Sequence, residues 1–234
     1  RLSGGVAKCL RMQGKCLYYI KRYDEAWMLM NQALDIAIQI DSKKQIVACH
    51  KQLYYLCREF KRMMNERGDE QASTLFFRES LLHEMYFSEK PRLAELTVRY
   101  EALRCDIMQQ YYMNKDYDNV IRIATSLDFH DDTDLNASCL VYYYKAQAYV
   151  KLENYPMAKE AFFRELELRK KYLGWEEEDT ILACQNLGVL HSFCNEREEA
   201  LACFREAYGY EVKKNGEDSE MAQKLLQYIS VVES

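Results

Sequence analysis

The stretch ILACQNLGVLHSFCNEREEALACFREA, residues 181–207, decides the reading of the chain. Its second half opens on the polar turn NEREE, then places Ala200, Phe204 four positions on, and Ala207 three further. Steps of four and three set side chains on one face of an α-helix. Its first half, ILACQNLGVLHSF, is another helical pattern with Gly188 inside it. A small residue on the first helix lets the second helix's backbone approach, and the next pair supplies the large residue that fills the groove. The stretch therefore reads as two packed helices joined by a short polar turn.

The same unit recurs along the chain. KRYDEAWMLMNQAL (21–34), KDYDNVIRIATSL (115–127) and ENYPMAKEAFFREL (153–166) repeat the turn and helix. Their small positions are Ala26, Val120 and Ala158, and the apolar positions that follow are Met30, Ala124 and Phe162. NERGDEQASTLFFRESL (65–81) is a more divergent copy, with Ala72 and Phe76 in those places. Each copy follows a helical pattern such as LRMQGKCLYYI, QLYYLCREFKRM, EALRCDIMQQYYM or CLVYYYKAQAYV. Recurrence of one supersecondary unit marks a stack of helix pairs. Local chemistry agrees. Asp69 can cap a helix beginning near Glu70, Pro91 and Pro156 fall at helix starts, and Gly174 and Gly216 follow basic final turns. DSEMAQKLLQYISVV after Gly216 reads as one more amphipathic helix, placed to cover the last pair.

These residues carry a family resemblance. Leu187-Gly188 precedes His191 by the offsets that the tetratricopeptide repeat (TPR) uses for Leu-Gly and Tyr. Ala146 with Tyr149, and Gly14 with Leu17, fill the Gly and Tyr places of two more repeats. The chain resembles the TPR family over nearly its whole length. RELELRKKYLGWEEEDTILACQNLGVLH (164–191) is similar to the long repeats of kinesin light chains. The resemblance implies an all-α fold, a right-handed α-solenoid of about five TPR-like helix pairs plus a C-terminal capping helix. Repeats are placed near 7–52, 53–100, 101–138, 139–180 and 181–216, with the cap over 218–233, in one domain. An irregular α-bundle is the structural alternative.

Composition supports helices. The 234 residues include only 2 Pro and 8 Gly, well below the roughly 12% of average usage. That is too little punctuation for an all-β fold with many tight turns. No apolar run approaches the roughly 18 residues of a membrane span, so no membrane partner is expected. The nine cysteines form no C-x-x-C pair and sit mostly within apolar helical patterns. They read as reduced small hydrophobes, in a cytoplasmic or nuclear protein. The chain begins at Arg1, which suggests a fragment of a longer protein. Its net charge of −5 hides an asymmetry: residues 1–68 hold 13 Lys or Arg against 6 Asp or Glu, or +7, leaving 19 against 31, or −12, in the remainder.

The sequence carries few signs of reaction chemistry. The four histidines, His50, His83, His130 and His191, form no i, i+4 pair, and H-E-x-x-H is absent. His191 fills a packing position of its repeat and reads as a core histidine. FHDDTDLN (129–136) lacks the Gly and terminal Glu of a calcium loop and reads as a solvated loop feeding a helix N-terminus. No G-x-x-x-x-G-K-[ST], G-x-G-x-x-G or G-x-S-x-G occurs. No catalytic residue, cofactor or metal is expected. An enzyme would require Cys, His and a carboxylate gathered in one cleft.

TPR solenoids bind with the concave face, lined by the first helix of each repeat. The resemblance implies that positions 2, 5, 6, 9, 12 and 13 of each repeat point there. In that register Lys8, Arg11, Lys15, Arg58 and Lys61 put cations on the face of the first two repeats. Farther along stand Gln109, Tyr112, Tyr143, Tyr144, Gln147, Gln185, Asn186 and Phe193. Amides can hydrogen-bond an extended peptide backbone, and tyrosine offers large contact area at low entropy cost. Chaperone-type TPRs clamp a terminal carboxylate with a Lys-Asn…Asn…Lys-x-x-x-Arg constellation. The corresponding places here hold Arg11, Lys15, Arg58, Ala102 and Asp106, which argues against an Hsp70 or Hsp90 tail clamp. The expected function is a non-enzymatic protein-protein interaction scaffold or adaptor. Its groove would take an extended, acidic peptide or a partner subunit of a larger complex. One alternative is a single-stranded RNA-binding helical-repeat protein, against which the acidic remainder counts. Another is a ciliary or cytoskeletal docking or cargo-adaptor subunit, since LNASCLVYYYKAQAYVKLENY (135–155) is similar to TPRs of axonemal docking proteins.

Overall fold

The computed structural model describes residues 3–89, 100–126, 135–174 and 178–234, with backbone alone at 100 and 101. Among the described residues there are eleven α-helices and no strand. The first helices of the pairs are α1 (Gly4–Tyr19), α3 (Lys43–Arg67), α5 (Tyr100–Met113), α7 (Leu135–Lys151) and α9 (Glu178–Phe193). Their partners are α2 (Tyr23–Gln39), α4 (Glu70–Glu84), α6 (Tyr117–Ser126), α8 (Tyr155–Tyr172) and α10 (Arg197–Asn215), and α11 (Glu220–Glu233) follows. The five expected pairs and the terminal helix are all present.

By its contacts the chain falls into two compact units. Unit 1 is Arg1–Asn114 with Arg122–Asp132, and unit 2 is Lys115–Ile121 with Thr133–Ser234. Within each unit, helices pack on their chain neighbours, most extensively inside a pair. That nearest-neighbour packing is the rule of repeat proteins.

One turn geometry joins first to second helix throughout. Lys21, Lys115, Glu153 and Asn195 take left-handed backbone at φ of 63°, 60°, 57° and 61°, and Gly68 does so at 75°. In four of these turns the left-handed residue and its successor donate amide hydrogens back into the helix: Lys21 to Tyr18 O and Arg22 to Leu17 O, then likewise at Gly68–Asp69, Glu153–Asn154 and Asn195–Glu196. This closes the orphan carbonyls of the helix end. Asp69 then caps α4, its Oδ1 accepting from Ala72 N at 2.9 Å. Pro156 lies in the first turn of α8, where its missing N–H costs nothing. Gly174 and Gly216 follow α8 and α10 with φ of 78° and 87°. Pro91 lies outside the described residues.

The small residues do what their spacing implied, with one difference. An ideal Cβ on Gly188 would stand 2.8 and 2.9 Å from ring carbons of Phe204 and 3.1 Å from Cys203 Cβ. One on Gly14 would lie 3.0 Å from Met30 Cε and 3.2 Å from the Ala26 carbonyl oxygen. The large residue thus comes from the second helix of the same pair, not from the next pair. The α1–α3 core holds Ala26, Met30, Leu34, Leu53, Leu56 and Phe60. The unit 2 core is built around Phe162, Leu166, Ile181, Leu187, Phe204 and Leu225. Leu225 and Tyr228 bring α11 onto it, the Tyr228 ring stacking on Phe204 at 5.2 Å. All nine cysteines are free thiols; five are buried, Cys194 and Cys203 half-buried, and Cys9 and Cys16 exposed.

Two glycines in unit 2 separate packing from propensity. Gly188→Val overfills the contact with Phe204 and is expected to cost about 1–3 kcal/mol. Gly209→Ala, on α10 with nothing within 4 Å of the added Cβ, is expected to stabilise by about 0.5–1 kcal/mol. Urea unfolding of the two variants checks the opposite signs.

Candidate functional site

The cationic face forms on α1 and α3, adjacent first helices of unit 1. Lys8 and Arg58 are exposed, and Arg11, Lys15 and Lys61 half-buried. Three of these cations lie over aromatic rings: Lys15 Nζ is 5.8 Å from the Tyr19 centroid, the Arg58 guanidinium carbon 5.7 Å from Tyr54, and Lys61 Nζ 4.4 Å from Phe77. Among the described residues none of Lys8, Arg11, Lys15, Arg58 and Lys61 pairs with a carboxylate; Arg11 instead donates to Gln45 Oε1 at 3.4 Å. Other surface cations are paired, as in Arg62 with Glu59 and Glu66, or Lys170 with Glu206. Tyr18, Arg58, Glu59, Lys61, Arg62 and Phe77 line a cleft of about 480 Å³.

The remaining expected residues do not all join this face. Gln109 lines a different cleft of unit 1, of about 690 Å³, with Met113 and the first turn of α4. Tyr112 is half-buried. In unit 2, Tyr143, Tyr144, Gln147 and Asn186 are half-buried, and Tyr143 packs on the core and edge-to-face on Tyr144 at 5.4 Å. Phe193 is 66% exposed, its ring 5.2 Å from that of Tyr155. Gln185 is a correction: it is 5% exposed, within the helix packing and not on an open face. Cys57 and Cys105, which the register also assigned to the groove, are buried too. All three stand at position 5 of their repeats. In these three repeats position 5 is enclosed, whereas it is half-buried at Arg11 and Tyr143, and position 6 is open at Met12, Arg58 and Asp106. His191 is not a core histidine; it is partly exposed, with Nδ1 2.6 Å from Glu196 Oε2 in the helix-to-helix turn. His130 and its neighbouring aspartates at 131, 132 and 134 lie outside the described residues.

Beneath the cationic face lies a polar cluster that single-helix spacings did not reveal. Glu79 of α4 is fully buried. Its Oε1 is 2.8 Å from Arg122 Nη1 of α6, and its Oε2 accepts from the Tyr111 hydroxyl of α5 at 2.8 Å. His83 Nε2 lies 3.5 Å from the same Oε1, and His83 Nδ1 is 2.9 Å from His50 Nδ1 of α3. The carboxylate orders the tautomers: His83 presents Nε2–H to Glu79, so His83 Nδ1 accepts from His50 Nδ1–H. The His50 ring stacks on Tyr86 at 3.6 Å, and the Arg122 guanidinium lies 4.7 Å over Trp27. Buried Arg104 of α5 donates to the carbonyls of Ile123 and Ala124.

Burial pushes the Glu79 carboxyl up, but Arg122 and His83 overcome this and hold it at about 2. Burial drives His50 and His83 down, with Arg122 adding to the effect, and pushes the Cys57 thiol and Tyr111 hydroxyl well up. The working state is one ion pair among neutral histidines, thiol and phenol. Cys57, Glu79 and His83 offer donor atoms within 4.8 Å of one another, types that suit zinc. Arg122 already stands on Glu79 where a cation would sit, and the guanidinium supplies the balancing charge. A protonated, enclosed thiol beside a neutral histidine is not an activated nucleophile. The missed signal is the mixing of Glu79 and His83 into an apolar stripe with Leu75 and Leu82.

The paired helices, their small-residue contacts and their recurrent turn are TPR-like. No protein-family model matches the chain, and no curated protein matches it. Solved structures do match. One is the "TPR2AB-domain:pHSP90-complex of yeast Sti1", 16% identical, covering 99% of this chain and 100% of that one at a TM-score of 0.44.

Two outcomes test the buried cluster. Arg122→Met leaves Glu79 as an uncompensated buried charge and is expected to cost about 3–5 kcal/mol. The histidines, held below their unfolded value of 6.5, stabilise fully above that pH and lose the contribution as pH falls through it. Each proton taken up only on unfolding is worth about 1.4 kcal/mol per pH unit. Glu165 of unit 2 acts oppositely, since burial raises it to about 7 against the pull of Arg169. The check is therefore a comparison: between pH 7 and 5 the urea midpoint of the parent should fall more steeply than that of a His50→Asn, His83→Gln variant. Parallel profiles would contradict the assignment.

Proposed function

We propose that the chain is a non-enzymatic protein-protein interaction scaffold whose α1–α3 face takes an extended acidic segment of a partner protein. The observation that carries this reading is the set of cations at Lys8, Lys15, Arg58 and Lys61. None has a carboxylate partner among the described residues, and three lie over aromatic rings. A protein surface ordinarily intersperses both signs, as Arg22 with Glu25, Arg62 with Glu59 and Glu66, and Lys170 with Glu206 do here. A stripe of one sign instead attracts an oppositely charged ligand and speeds its encounter. Rings beneath the cations add apolar contact and hold the long side chains in place. Half-buried Tyr18 and Phe77 in the same cleft can receive an apolar anchor next to the acidic residues. A subunit of a larger assembly in the cytoplasm or nucleus fits this chemistry, as does a docking or cargo adaptor.

A titration with labelled Asp/Glu-rich peptides carrying a Leu or Phe anchor tests it. Arg58→Glu with Lys61→Glu is expected to weaken binding tenfold or more, about 1.4 kcal/mol, with melting unchanged. Unchanged affinity, or tighter binding of single-stranded RNA at the same salt, would defeat the proposal.

A further inference from the structure

Cys184 on α9 and Cys203 on α10 meet across the last helix pair. Cys184 is buried and Cys203 half-buried, and both belong to the unit 2 core. The Cys184 Sγ lies 3.3 Å from the Cys203 carbonyl oxygen and within 3.9 Å of Glu206 Oε2. The two helices are close here because Gly188, one turn beyond Cys184, has no side chain. A Cβ at Gly188 would come within 3.1 Å of Cys203 Cβ. The pair is thus held by the same close approach that defines the repeat.

The two sulfurs are not equivalent. The Cys184 thiol donates to the Cys203 carbonyl oxygen, and the neighbouring Cys203 side chain and burial push it up. Cys203 is drawn below the usual thiol value by the neighbouring Cys184 thiol, with Lys170 assisting and burial and Glu206 opposing. Cys203 is also the one that solvent reaches. Thiolate character, access and a second thiol in contact are the features of an oxidant-responsive cysteine. We infer that Cys184 and Cys203 form a dithiol site that closes to an intramolecular disulfide under oxidants of the glutathione-disulfide class, locking α9 to α10. The Cys203 thiolate attacks one sulfur of glutathione disulfide, forming a mixed disulfide and releasing one glutathione thiolate. Cys184, losing its proton, attacks the Cys203 sulfur and expels the second glutathione. The protein dithiol is oxidised by two electrons, one glutathione disulfide is reduced to two glutathiones, and the two thiol protons end on them.

The test uses the whole chain, incubated with glutathione disulfide, blocked with maleimide and digested with trypsin without reduction. The expected product joins the peptide at 172–197 to that at 198–205. Cys194 shares the first peptide, so variants assign the bond. Cys194→Ser should retain the link. Cys184→Ser should lose it and leave Cys203 as a stable glutathione adduct, with Cys184→Ala as a second variant if melting shows the first to be perturbed. The inference is overturned if Cys203 in the parent is recovered reduced or as a lasting glutathione adduct. It is equally overturned if the link survives in the Cys184 variants.

Discussion

In the first and last pairs of this chain, the two helices lie side by side because one of them gives up a side chain. At Gly188 the ring of Phe204 occupies the space a Cβ would need, and at Gly14 Met30 and the Ala26 carbonyl do the same. Everything larger follows from that approach. It sets the spacing of the pair, puts Ala200 and Ala207 against α9, and leaves the outward positions of the first helices to face solvent or a partner. It also brings Cys184 and Cys203 within reach of one another.

The second pair solves the same problem differently. No glycine lies within α3, and α4 carries Glu79 and His83 among its buried residues. The ion pair with Arg122, the hydrogen bond from the Tyr111 hydroxyl and the His50–His83 contact join α3, α4, α5 and α6. Buried charge is costly, and it persists only when every partner is in place. The cluster therefore ties unit 1 to a single arrangement of these helices, beneath the face on which Arg58 and Lys61 stand.

The fold was legible because it repeats. Steps such as Ala200, Phe204 and Ala207 recur with chemistry that only helix pairing explains, and caps at Asp69 and Pro156 mark the ends. The common turn was less visible, because only Gly68 announces left-handed backbone, while Lys21, Lys115, Glu153 and Asn195 adopt it without a glycine. The candidate site was half legible. Charge and register put Lys8 and Arg58 on a face where both are exposed, but the same register put Gln185 and Cys57 there. Their burial depends on how far each helix rolls against its neighbour, and a rotation of a few tens of degrees is not encoded in one helix's spacing. The His50–His83–Glu79–Arg122 cluster needed three separate helices to assemble, so no motif could announce it.

The central claim is that Lys8, Lys15, Arg58 and Lys61 of α1 and α3 meet carboxylates of a partner. Zero-length carboxyl-to-amine cross-linking of the chain to a protein it captures reads that contact directly. The account predicts linkages at Lys8, Lys15 and Lys61 that high salt suppresses. Linkages confined to the lysines of α8, α10 and α11 would contradict it.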